Sequence, residues 1–295
     1  MVINMKYFII TIIAIFLSLS VGIVIGVVMD SQQLFINQQK QLVAQIEEEF
    51  YDFKQKNYQL TNRLESYQRE KEKNDKFLNS IYDFLINDRL KGLNILLLKI
   101  YDNHNYTDVV NTLKKSGVNK VIQVTINKEI TFDSQETLEY FKDKYKIDVN
   151  DTQGIEENML LLLFKGILGS KYTELHYYLK DQGIIDFGHD SYESIDYVII
   201  IDNSFKDKSK IIDSPNKVLI NAAKALNIPM MAIEKRDINF SSIPFYKERG
   251  ISSVDNVDTK FGKIAMIMVI SGKEGSYGEK KTAEQLVPNG FLVLE

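Results

Sequence analysis

Within the run Ser253-Val254-Asp255-Asn256-Val257-Asp258-Thr259, two carboxylates and an amide fall inside four positions. Oxygen donors so close together can hold a hard cation. The same residue types also build turns and helix starts. Asp255 and Asn256 suit a tight turn. Asp258, directly before the apolar helical pattern Thr259 to Ile270, suits an N-cap, and capping is the expectation adopted here. Asp202 closes the apolar run Tyr197 to Ile201. If that run is a strand of an open parallel sheet, Asp202 and the SVDNVD loop are expected at its carboxyl edge, where such sheets place their ligand crevice. Softer ligands are scarce. Copper(I) prefers Cys and Met sulfur, copper(II) imidazole. The chain has no cysteine and three histidines, scattered at His104, His176 and His189. His189-Asp190 follows Gly188 in a loop and could touch a metal, although such pairs are commonly solvated turns. Met230, Met231, Met266 and Met268 lie in apolar runs, where methionine is a core filler. The metal candidates are thus His189, Asp202, Asp255 and Asp258, all weak, and the residues alone establish no cofactor.

Catalysis finds less support. There is no G-x-S-x-G elbow. Gly272, Gly275 and Gly278 are spaced by three but follow a helix pattern rather than a strand, so they do not form a phosphate loop. The net charge of −4 comes without a basic stripe, which argues against nucleic acid. The expectation is a protein that is not an enzyme.

These residues need a scaffold to hold them. Leu93 to Ile100, Lys120 to Ile126, Tyr197 to Ile201 and Pro229 to Glu234 read as buried strands. Helical patterns cover Tyr106 to Ser116, a stretch from Ser134, Asn158 to Leu168, Lys171 to Gln182, Asn216 to Leu226 and Thr259 to Ile270. This alternation implies right-handed βαβ crossovers and a parallel sheet covered on both faces. Residues 89–295 are expected to form a three-layer, flavodoxin-like α/β domain.

The first ninety residues differ in kind. Tyr7 to Met29 carries no charge. As a helix it would span ~34 Å, enough for a hydrocarbon core of ~30 Å. The stretch is too long for a signal peptide and has no small-x-small exit, so residues 1–30 are expected to be an uncleaved anchor. Lys6 precedes the span and Asp30 follows it, which favours a cytoplasmic N-terminus and an extracytoplasmic C-terminal domain. Ser18, Gly22 and Gly26 make a small-xxx-small face that allows close helix approach in lipid.

Residues 31–88 are expected to form a coiled coil. One heptad set reads Ile36, Val43, Phe50, Asn57, Leu64, Lys71, Leu78, Leu85; the other reads Gln39, Ile46, Phe53, Leu60, Tyr67, Asn74, Ile81. Neither Pro nor Gly interrupts them. A stripe with a strict period of seven, kept up over fifty residues, implies a supercoiled seam and a parallel homodimer.

The C-terminal string carries a resemblance. Val254, Asp255, Asn256, Val257, Asp258, Thr259 and Gly262 match the signature S-x-V-D-N-V-D-T-x-x-G of the MctB-type family, with Ser253 at its variable second position. Gly275, Tyr277, Gly278, Leu286 and Pro288 match its later G-x-Y-G and L-x-P, and Gly22, Ile23 and Gly26 match its membrane-helix pattern. The chain resembles this copper transport family over nearly its full length. The resemblance implies a membrane-anchored envelope protein of copper homeostasis or efflux, with copper implied by the family alone. The rod and anchor also suit a second reading, an adaptor that presents the α/β domain to an envelope or division partner.

Overall fold

The computed structural model describes residues 5–130, 132, 134–148, 152–188, 194–204 and 213–290, with backbone only at 30–34, 152–153, 156 and 213–214. The chain divides into two compact units, Met1–Asp75 and Lys76–Glu295.

The described part of the first unit is helix throughout, and belongs to α1, Met5–Ile86. No proline interrupts α1, and Gly22 and Gly26 are its only glycines. Met5–Met29 is long and apolar enough to cross a membrane. Beyond it, helix-favouring Gln, Glu, Lys and Leu carry the backbone. The seam side chains Ile36, Val43, Ile46, Phe50, Phe53, Leu60, Leu64 and Tyr67 are all exposed.

The second unit begins with the last turns of α1. Here the seam residues behave otherwise. Leu85 and Ile86 are buried in the α/β core, and Leu78, Ile81 and Tyr82 pack against it. The helix gives way to a turn with Asp88 at φ +57° and Gly92 at φ +86°.

The sheet then follows from its apolar runs. β1 (Asn94–Ile100), β2 (Lys120–Ile126), β4 (Tyr197–Asp202), β5 (Met230–Ile233), β6 (Ser252–Val254) and β7 (Ser276–Tyr277) are parallel; β3 (Ile185–Phe187) pairs antiparallel with β2. The seven strands lie in the order β3-β2-β1-β4-β5-β6-β7. Without β3 and β7, this is the strand order of flavodoxin-like sheets, with the switch point between β1 and β4.

Two apolar cores flank the sheet. Alternate residues of β1 feed them, Leu96, Leu98 and Ile100 on one face and Ile95 and Leu97 on the other. The first face carries α3 (Gln135–Lys144), α4 (Thr152–Leu168), α5 (Glu174–Asp181), α6 (Asp213–Ala225) and α7 (Ile243–Lys247). The second carries α2 (Thr107–Lys115), α8 (Lys260–Ile270) and the end of α1. Met231, Met266 and Met268 fill the second core, as their apolar runs imply.

One crossover departs from expectation. α6 and α7 step the chain from β4 to β5 to β6 on the first face, whereas α8 makes the next step in the same direction on the second face. The β6–α8–β7 connection therefore has the opposite hand to its neighbours, the rare one for parallel strands. With only two residues, β7 adds little pairing of its own. The contacts that hold it are those of the motif and of the segment after it, where the Glu284 N–H donates to the Ser276 carbonyl at 2.8 Å and the Gly278 N–H to the Gln285 carbonyl at 2.9 Å.

Candidate functional site

Four strands adjacent in the sheet each present a buried carboxylate at the carboxyl edge: Asp102 two residues past β1, Asp202 ending β4, Glu234 after β5 and Asp255 after β6. This is the edge where an open α/β sheet offers its crevice. The partners of each group decide what it does there.

Asp255 serves the crossover. Its oxygens accept the backbone N–H groups of Glu279 at 2.7 Å and Lys280 at 3.0 Å. Its own N–H donates to the Tyr277 carbonyl at 3.1 Å. A Cβ on Gly278 would collide with the Asp255 carboxylate, and Gly278 sits at φ +138°, where only glycine is comfortable. Ser253 and Ser276 join their hydroxyls at 3.1 Å, and the Ser253 N–H donates to the Gly275 carbonyl at 3.0 Å. Asn256 reaches Glu279 Oε1 at 3.3 Å. The two halves of the family signature thus lock together and pin β7 beside β6.

Asp258 takes a different role from the expected one. The N-cap of α8 is Thr259, whose Oγ1 accepts the Gly262 N–H at 2.9 Å. Gly262 is required because a Cβ there would strike the Asn256 backbone. Asp258 lies one residue too early to cap. It receives the Arg236 backbone N–H at 3.0 Å and Nε at 2.8 Å, which ties the loop after β5 to the start of α8. Burial pushes its carboxyl up, but the Arg236 bonds outweigh burial and hold it below the usual carboxylate range.

Asp202 is embedded in the first core. It accepts the Ser204 N–H at 2.9 Å, Asn216 Nδ2 at 3.0 Å and the Tyr246 hydroxyl at 3.0 Å. Burial drives its pKa up against these donors. No partner is shared between Asp202 and Asp255, so the expected meeting of the two across β5 does not take place through any bond described. His189 and Asp190 lie outside the described residues.

Two further groups on this edge escaped sequence reasoning. Glu234 Oε1 accepts Lys280 Nζ and Ser241 Oγ, both at 2.7 Å, while its buried Oε2 has no hydrogen-bond partner. Its pKa is raised by burial, with Lys280 opposing. Asp102 accepts the His104 N–H at 2.6 Å and meets His104 Nδ1 at 3.0 Å. Burial, then Asp102, holds the Tyr106 hydroxyl far above its ordinary pKa. The positions were visible: the apolar runs of β1, β4 and β5 are each followed within two residues by Asp or Glu.

Of the remaining histidines, His176 is fully buried, with Nε2 2.9 Å from the Leu163 carbonyl and Nδ1 accepting the Thr173 N–H at 3.1 Å. Among the described residues, no three His, Asp or Glu gather where they could hold a metal. Nor, among the described residues, do the motif and methionine donors fit a resident copper ion. The Asp255 and Asp202 oxygens are engaged by the chain's own donors, and the thioethers of Met231, Met266 and Met268 are sealed in the second core.

The arrangement therefore reads as a polar edge that fixes loops, with the motif carboxylates engaged by the chain's own donors and Glu234 Oε2 left unpartnered. No curated protein matches the chain. A family model does match, described as copper transport outer membrane protein, MctB, and it covers residues 2–288, from the apolar helix through the Asp255–Gly278 lock to Pro288. With nearly every residue inside that match, the chain belongs to the MctB family, a family of copper-transport-related membrane proteins.

Proposed function

We propose that this protein is a non-catalytic, membrane-anchored component of copper homeostasis in the cell envelope, acting through protein contacts rather than through a resident metal. The observation that carries the reading is the use of the motif carboxylates. Asp255 and Asp258 are spent on Glu279, Lys280 and Arg236, which makes the family signature a scaffold for surfaces rather than a ligand set. The chain self-associates through α1, its N-terminus cytoplasmic and its α/β domain extracytoplasmic.

The test is growth in graded copper of cells lacking the protein, with the full chain restored in parallel. Altered copper tolerance that the chain corrects supports the reading. Unchanged tolerance together with a defect in envelope shape or division would favour the adaptor role, for which the uncovered stripe of α1 speaks. Proteolysis of intact cells tests the topology, since the α/β domain should be cleaved from outside. A submicromolar copper affinity in the purified chain, lost in Asp255→Asn, would overturn the structural assignment of the motif.

A further inference from the structure

The seam of α1 does not stop where the polar segment begins. Continued backwards in the same frame, Ile36 leads to Met29, Gly22 and Ile15, and Gln39 leads to Gln32, Ile25 and Ser18. α1 is one uninterrupted helix across this join, with no proline to reset its phase. An unbroken helix carries its face with it, so a partner seated on Val43 and Phe50 lies over Gly22 and Ile25 as well. Ile15, Ser18 and Gly22 line a shallow notch there.

At the other end the same frame changes hands. Lys71 and Asn74 interrupt it with two successive polar side chains, whereas Gln32, Gln39 and Asn57 stand singly between apolar ones; Leu85 is buried in the core of its own α/β domain, and the half-buried Leu78 and Ile81 pack against that core. The flanking charges agree. In a parallel, in-register pair, Glu49 of one copy faces Lys54 of the other, whereas Glu70 would face Asp75.

We infer that a second copy of this chain pairs with α1 along one continuous stripe from Ile15, inside the membrane, to Tyr67, and that beyond Lys71 the stripe is withdrawn into the chain's own domain. The inference rests on the self-association proposed above. A second copy fits because both chains are anchored in the same direction and because the Glu49–Lys54 pair favours identical registers. The stripe would then run ~80 Å.

The cysteine-free sequence makes the test direct. Single substitutions in the full chain, in its own membranes, are oxidised with iodine and read as a shift to doubled mass that reduction reverses. Val43→Cys and Leu60→Cys should shift, as should Ile15→Cys and Ile25→Cys within the membrane. Val27→Cys and Glu48→Cys, on the opposite side of the helix, should not shift, nor should Leu78→Cys or Ile81→Cys. No shift at positions 43 and 60 would overturn self-association itself. Shifts at 43 and 60 without any at 15 and 25 would leave self-association standing and overturn the continuous stripe. A shift at 78 or 81 would overturn the withdrawal into the domain.

Discussion

The stretch from Val43 to Tyr67 and the stretch from Ser253 to Gly278 are the two most patterned parts of the chain, and they treat their surfaces in opposite ways. The first leaves Phe50, Phe53, Leu60 and Leu64 exposed, each by more than half its surface. The second buries Asp255 and Asn256 almost completely, answers the Asp255 carboxylate with N–H donors from its own loop, and lets Asn256 Nδ2 donate to Glu279. A row of uncovered apolar side chains is unfinished until something meets it. A buried carboxylate with its bonds made is already finished. On the reading proposed above, recognition belongs to the helix, while the motif, which carries the family signature, is architecture.

The largest effect should separate the two regions outright. Gly278→Val drives a branched side chain into Asp255 at a backbone angle that disfavours it, and should cost on the order of 4 kcal/mol of domain stability. Thermal unfolding of the α/β domain measures this, while cross-linking through α1 should persist. If the domain tolerated Gly278→Val, the lock would not be structural. Leu64→Asp should do the converse. It sets a charge into each copy's stripe, at roughly 2–3 kcal/mol of association, and should leave domain melting unchanged; sedimentation in detergent reads the loss.

A finer contrast lies within the motif. Thr259→Ala removes the cap of α8 and should cost about 1 kcal/mol. Asp258→Ala removes a pair whose Arg236 side chain is half exposed, and should cost only about 0.5 kcal/mol. The reverse order in denaturant melts would return the capping role to Asp258.

The last prediction concerns pH. Burial lowers the pKa of His176, so the unfolded chain takes up a proton that the folded chain refuses. That contribution to domain stability is full above the ordinary histidine pKa of ~6.5 and fades as pH falls below it. His176→Gln should flatten this part of the curve. Asp202 and Glu234, with raised pKa values, act in the opposite sense in the carboxylate range, and both chains keep them, so the difference between wild type and variant isolates the histidine. Self-association should show no such dependence, because no histidine lies on α1.

Much of this organisation was legible beforehand, for physical reasons. LNILLLKI, YVIII and PMMAI announce β1, β4 and β5, because a strand buried on both faces needs an unbroken apolar run; KVIQVTI announces β2 although its Gln123 breaks the run and is exposed. The three residues of β3 and of β6 and the two of β7 carry no such signal; partners make them strands. The cap slipped by one position because Asp258 and Thr259 are both good N-cap residues, and only the extended backbone of Thr259, at φ −98° and ψ 162°, decides between them. α4 began earlier than its apolar pattern, at Thr152 rather than Asn158. The pairing of Glu234 stayed hidden because its partner Lys280 is 46 residues away, a distance no local pattern spans.

The two ends of the sheet have a consequence for crowding. One margin is the three-residue antiparallel β3, the other the two-residue β7. Edges so short offer almost no template for an incoming strand. Tethering copies to one membrane raises their mutual concentration, and a long bare margin under those conditions would invite open-ended polymerisation. Truncated margins deny that route, so the self-association proposed for α1 would not turn the domains into fibres.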